Sequence, residues 1–263
     1  MRPFRGALWA SIPDEITPDW LKAMVLQLDP DEDDAEQKIR MELERQFSDE
    51  LNSALHGQMN DLLPPTASDD LVRQAANRVE ETSGPVRDVL RRHLLRGADL
   101  GVSVAFDQMS TIGMAFDWTL AHTHAGAWSS RYSYDLIQGM NQTTRTQLQT
   151  AVNEWFQNPD SLATLRRQLE PTFGPRRAQL VAQTETTRAA AEGSIAGYEQ
   201  SGVVLEMEWQ TVNDERVCPI CGDGPTGLSG KRAPLRGTFP GGYTAPAHPG
   251  CRCFVRPVIS EPS

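Results

Sequence analysis

Apolar residues recur every four positions at Ile39, Leu43, Phe47, Leu51 and Leu55, with Glu and Arg between them. This spacing predicts an amphipathic helix with one narrow stripe, which must seat on another helix of the same chain or of a second subunit. Pro64-Pro65 ends it, and Ser68 offers the next N-cap for a helix over Asp69 to about Thr82. After the Gly84-Pro85 break, Val86, Leu90, Leu94, Val104, Phe106, Met109 and Phe116 predict one long helix, or two with a joint between Gly97 and Gly101. Gly126 to Ser130 reads as a turn, Thr143 to Gln157 as a helix, and Ser161 to Leu169 as a short helix. A break is expected at Thr172-Phe173-Gly174-Pro175, then an Ala-rich helix from Arg176 to Gln200 with Ser201-Gly202 as its stop.

Beyond Gly202 the period changes to two. Leu205, Met207 and Trp209 alternate with Glu206, Glu208 and Gln210, which predicts a half-buried strand with Trp209 in the core, and Arg252 to Ile259 reads as a second strand. The expected fold class is α+β: mostly helical, with a small C-terminal sheet closed by a zinc-knuckle-like Cys/His site. Residues 1–36, with prolines at 3, 13, 18 and 30, are expected to be an arm with at most a short helix from Trp20 to Leu28. Residues 37–158 are expected to form a helical region and 159–263 a C-terminal domain.

Composition narrows the function classes. The chain has 263 residues, 39% of them hydrophobic and 23% charged, with a net charge of −10. That balance excludes a general DNA-coating role, which needs a basic surface, and leaves room for local DNA contact. The acidic run at Asp29, Asp31, Glu32, Asp33 and Asp34 reads as solvated, since a calcium loop needs spaced ligands around a central Gly. No stretch of 18 apolar residues suggests a membrane span, and the apolar part of Met1 to Ala10 is short for a signal peptide. A reducing compartment is therefore expected, where clustered cysteines bind metal more often than they form disulfides.

All four cysteines lie in one pattern: Cys218-Pro219-Ile220-Cys221-Gly222, then His248-Pro249-Gly250-Cys251-Arg252-Cys253. A C-P-x-C-G turn places two sulfurs on one side of a tight loop. The second cluster supplies His248, Cys251 and Cys253, giving five candidate ligands for the four positions of one structural zinc per chain. Four Cys, or three Cys with His248, both satisfy the spacing. A closed site leaves no place for a reactive water. Asp214 and Arg216, just before Cys218, are placed to orient the knuckle from outside it. Glu185 and Arg188, three apart, read as a surface ion pair. His122-Thr123-His124 has no carboxylate or Cys companion nearby in sequence. No phosphate loop, nucleophile elbow or dinucleotide fingerprint occurs, and no catalytic residue is assigned.

Taken in order, these pieces resemble the phage Mu F-like family of minor head proteins. The matching residues are the Thr184-Glu185 pair, Tyr198 and Gly202, Trp209-Gln210-Thr211, Asp214 and Arg216 before Cys218, the C-P-x-C turn, Pro246, and the closing H-P-x-C-R-C. The resemblance covers about residues 160–260. The family's Arg before the Thr-Glu pair is Gln183 here, so any ion pair it makes is absent or supplied by Arg188 or Arg177. The resemblance implies a minor capsid protein that binds the portal inside the head. Scaffolding and major capsid proteins and, locally, genomic DNA are further implied partners, with no membrane. Its implied roles are procapsid assembly and DNA packaging or ejection, in the host cytoplasm during assembly and then in the virion. Some members carry a toxin enzyme after the metal knot; this sequence stops at Ser263, so no enzyme is implied. Two other readings remain. One is a zinc-dependent nuclease or hydrolase using His248 with Asp214 or Glu215, and the other is a zinc-knuckle interaction module of a prophage.

Overall fold

The structure is a computed structural model that describes residues 17–25, 35–114, 116–158, 160–212 and 214–259. The acidic run, most of the expected arm and Asn213 lie outside the described residues. In chain order the elements are α1 (Asp19–Val25), α2 (Ala35–Leu62), α3 (Asp69–Gln74), α4 (Val79–Thr82), α5 (Gly84–Thr111), α6 (Trp118–Gln157), α7 (Leu162–Gln168), α8 (Glu170–Phe173), α9 (Pro175–Ser201), β1 (Glu206–Gln210), β2 (Arg232–Pro234) and β3 (Phe254–Val258). The chain is mostly helical with a small antiparallel sheet near its C-terminus, in the order β2-β1-β3.

Contacts divide the chain into two compact units, one of Met1–Leu43, Leu94–Ser129 and Gln183–Ser263, the other of Glu44–His93 and Ser130–Ala182. In the second unit Phe47, Leu51 and Leu55 of α2 join Leu90, Ile137, Leu148, Leu165 and Phe173 in one core. Ser68 caps α3 as expected, its hydroxyl accepting the Leu71 N–H. Arg177 donates to Thr144 Oγ1 at 2.9 Å and to the carbonyls of Thr172 and Met140.

In the first unit Ile39 and Leu43 pack with Leu21, Leu100 and Val104. The five stripe residues of α2 are therefore all core of this chain, each 2% exposed or less. The stripe is a packing face within the chain and not a free assembly face.

Of the two alternatives for the segment after Gly84, the single long helix forms. Residues 97–101 lie inside the continuous α5, because these glycines serve helix packing. A Cβ on Gly101 would stand 2.0 Å from the Ala190 carbonyl oxygen of α9, and one on Gly193 would stand 2.0 Å from the Ala98 carbonyl oxygen of α5. Small residues let the two backbones meet, and Ser194 Oγ donates to the Gly101 carbonyl at 3.1 Å. The expected Gly126–Ser130 turn is replaced by uninterrupted helix. Ala121, Ala125, Ser129, Ser133, Ile137 and Asn141 are buried at four-residue spacing, a stripe built of small and polar residues rather than large apolar ones. Ser129 Oγ bonds the Ala125 carbonyl along the helix.

The predicted strand forms as β1, with Met207 and Trp209 buried. Leu205 precedes the strand and is 74% exposed, against the expected alternation. β1 pairs with β3 from Glu206↔Val258 to Gln210↔Phe254. Tyr198 of α9 is fully buried, and its hydroxyl donates to Gln108 Oε1 at 2.6 Å and reaches the Val255 carbonyl at 3.4 Å, fastening α9 to α5 and β3. Arg236, after β2, reaches back to α9 with two bonds to the Glu199 carboxylate and one to Glu192. It does so with a φ of 64°, which a non-glycine residue adopts at a cost.

Candidate metal centre

Two chain turns bring the Cys and His residues together. The first is the Cys218–Gly222 knuckle, where the N–H groups of Cys221 and Gly222 bond the Cys218 carbonyl at 3.0 and 2.9 Å. The second is the turn at His248–Cys251, closed by the Cys251 N–H to the His248 carbonyl at 3.1 Å, with Gly250 at a φ of 75°. The turn requires that left-handed backbone, which glycine adopts without strain.

Cys218, Cys221 and His248 form one close group, and Cys221, Cys251 and Cys253 another, so Cys221 is common to both. Cys221 Sγ lies 3.8 Å from Cys251 Sγ and 3.5 Å from His248 Nε2, and Cys218 Sγ lies 3.1 Å from that nitrogen. Tetrahedral zinc, with bonds of about 2.3 Å to sulfur and about 2.0 Å to nitrogen, sets edges of about 3.8 Å between sulfurs and about 3.5 Å from sulfur to nitrogen. The two distances from Cys221 match those edges, the Cys218–His248 distance is shorter, and each close group supplies three donors, so the residues could hold a metal ion. The cavity between these residues is small, about 20 Å³, and is lined by Val212, Val217 and the Cys/His residues. The four thiols are unbridged, and Cys221, Cys251 and Cys253 are buried within the same apolar cluster as Trp209 and Phe239.

Two thiols are held down and two are pushed up: the Cys251 and Cys253 thiols and burial raise Cys221, and Cys253 is raised as well, whereas Cys218 and Cys251 are lowered. Burial raises the Cys218 thiol, but the Cys221 and Ile220 N–H groups and nearby His248 outweigh it and bring it below the ordinary range. The hydrogen bond from Cys221 and that from Cys253, with the Cys253 and Ala247 N–H groups, hold Cys251 well down. His248 Nδ1 lies 2.9 Å from the Pro249 carbonyl. That bond assigns the proton to Nδ1 and turns the Nε2 lone pair toward the sulfurs. The Trp209 indole N–H is buried without a partner, and its neighbour is the Cys253 sulfur.

Around the ligands stands a charged clamp. Arg252, between Cys251 and Cys253, makes a two-pronged contact with Asp214 at 2.6 and 2.7 Å. This bond above all holds the Asp214 carboxyl down to about 2. Arg216 supplies Asp214 with a backbone N–H at 3.0 Å and a weaker side-chain contact at 3.4 Å. Because Asp214 is engaged in both oxygens, it is poorly placed as the base of a hydrolase. Arg40 of α2 adds an outer contact, its guanidinium donating to the Arg252 carbonyl at 3.4 Å and lying over the Phe254 ring. Neutralising the clamp with Asp214→Asn is expected to weaken metal retention about tenfold, as lost outer partners do elsewhere. Competition with a chelator measures it. The sign with pH follows from the lowered carboxyl: the clamp's contribution is complete above about 4, the unfolded value, and fades as pH falls through about 2.

The Thr-Glu pair was read as a motif without a role. Thr184 Oγ1 accepts the Gly250 N–H at 2.8 Å, so the pair touches the second turn directly. Glu185 is 6% exposed and meets Arg188 Nε at 3.2 Å, which corrects the expected surface ion pair to a largely buried one. His122 also has a carboxylate companion after all: Asp99 of α5, at 2.7 Å, with the ring stacked on Trp118. His124 faces Gln200.

Residues 144–256 match the family model described as Phage Mu protein F like protein. The C-terminal part of the chain is similar to that family over these residues. The match holds α7, α8, α9, β1, β2, the start of β3 and every Cys/His donor, and it begins within α6, earlier than the motifs alone suggest. No curated protein and no solved structure matches the chain. Among the described residues no helix is long and apolar enough to cross a membrane.

Proposed function

We propose that this protein is a minor head protein of a tailed phage. In this reading it associates with the portal inside the head, contacts scaffolding or major capsid protein during assembly in the host cytoplasm, and remains in the virion. There it aids procapsid assembly and DNA packaging or ejection. The observation that carries the reading is the Mu F-like match over residues 144–256, coincident with the fold around the Cys/His knot. The metal is one structural zinc per chain, held by Cys218 and Cys221 with two of His248, Cys251 and Cys253. The closeness of Cys221 to all the other donors supports that reading.

Its role is binding rather than catalysis. Asp214, the carboxylate a hydrolase would need beside the knot, is held by both oxygens on Arg252. The net charge of −10 makes any DNA contact local and salt-sensitive.

Co-sedimentation of the purified chain with the portal of the same phage tests the reading. The expected result is a stable complex in which residues 144–256 resist protease, and particles lacking the protein that assemble but fail in packaging, genome retention or ejection. Normal infectivity without it, or metal-dependent DNA cleavage lost in His248→Ala, would overturn it in favour of an enzyme.

A further inference from the structure

We infer that Thr184 is a positioning residue for the metal centre: its hydroxyl, fixed on α9, holds the backbone of the His248–Cys251 turn so that two donors face the knuckle. The inference rests on the metal reading proposed above.

Thr184 is 8% exposed and sits one turn before the α9 stretch that packs on α5 through Ala189 and Ala190. Gly101 meets the Ala190 backbone and Gly97 faces the Ala189 methyl, so this part of α9 has little freedom to shift. From this rigid base Thr184 Oγ1 accepts the Gly250 N–H at 2.8 Å. Gly250 lies between His248 and Cys251, in the turn closed by the 3.1 Å bond between them. The turn also holds His248 Nδ1 against the Pro249 carbonyl. One side-chain oxygen therefore sets the height of the turn above the helix, and with it the places of His248 Nε2 and Cys251 Sγ opposite Cys221. A residue that merely filled the helix face would need only Thr's volume. The acceptor oxygen is the part that reaches the ligands.

Thr184→Val keeps the volume and removes the acceptor, while Thr184→Ser keeps the acceptor. Zinc affinity of the reduced full chain is read by chelator competition, and coordination geometry by the ligand-field absorption of cobalt(II) in the same site. The expected result is about tenfold weaker zinc binding and an altered cobalt spectrum for Thr184→Val, both restored in Thr184→Ser. Should Thr184→Val fail to fold, amide exchange at Gly250 in the unmodified protein decides. Strong protection supports the inference, and exchange at the rate of an unbonded loop amide overturns it. Metal bound by Thr184→Val as tightly as by the parent, with the same spectrum, overturns this inference alone. A parent chain that takes up no metal removes the metal reading and this inference together.

Discussion

Cys221→Ser is expected to abolish metal binding and to unravel the C-terminal sheet and knot, while most of the helical signal survives. Cys221 is the one donor common to both close groups, and its sulfur lies at tetrahedral-edge distance from two other donors. It is also 1% exposed, in the cluster with Trp209, Phe239, Leu228 and Val255. Closing a structural zinc site contributes about 10–16 kcal/mol in zinc-finger peptides, comparable to the whole stability of a small domain, about 5–15 kcal/mol. Losing it should therefore cost the knot its fold and not merely loosen it. The helices have cores of their own around Phe47, Leu90 and Phe173 and around Ile39, Leu43 and Leu100. Metal content by elemental analysis, near-ultraviolet dichroism of Trp209 and far-ultraviolet dichroism of the helices separate the two effects. Chelator treatment of the parent should mimic the substitution. A Cys221→Ser chain that retains a full equivalent of zinc would refute the assigned role of Cys221.

The knot was legible in sequence because its chemistry is local. Two residues separate Cys218 from Cys221 and His248 from Cys251, and turns of that size bring donors together regardless of the rest of the fold. What lay beyond the knot was less legible in proportion to its separation along the chain. The Thr184–Gly250 bond spans 66 positions and the Asp214–Arg252 clamp 38, and no periodicity signals either. The helices show a second limit. The large apolar residues of α2 announced their face, but α6 buries Ala, Ser, Thr and Asn at the same spacing, and hydrophobic periodicity does not register them. Gly126 then looked like a turn, and Gly97 and Gly101 left a joint open as one alternative, since glycine in isolation disfavours helix. β2 was missed because three residues ending in Pro234 offer too little alternation to count, yet pairing with β1 at Met207↔Ala233 makes it a strand.

The glycines of α5 and α9 give the second large effect. Gly101→Ala and Gly193→Ala are each expected to destabilise the fold by about 3 kcal/mol or more, the upper end for overpacking. An added Cβ at Gly101 meets the Ala190 carbonyl oxygen at 2.0 Å and the Ser194 nitrogen at 2.7 Å; at Gly193 it meets the Ala98 carbonyl oxygen at 2.0 Å. All three are backbone atoms, which no rotamer change can move aside. The helices must separate, which opens the Ser194–Gly101 bond and shifts α9, where Thr184 and Tyr198 make their contacts with the metal turn and β3. Gly139→Ala, in α6, is the control. Nothing lies within 4 Å of its added Cβ, so only helix propensity acts, and stabilisation by up to about 1 kcal/mol is expected. Urea melts of the three variants read the sign directly. The same helix-favouring substitution should lower the midpoint at positions 101 and 193 and raise it at 139. A common direction at all three would mean that α5 and α9 are not in backbone contact there, and would remove the rigid base from which Thr184 is argued to act.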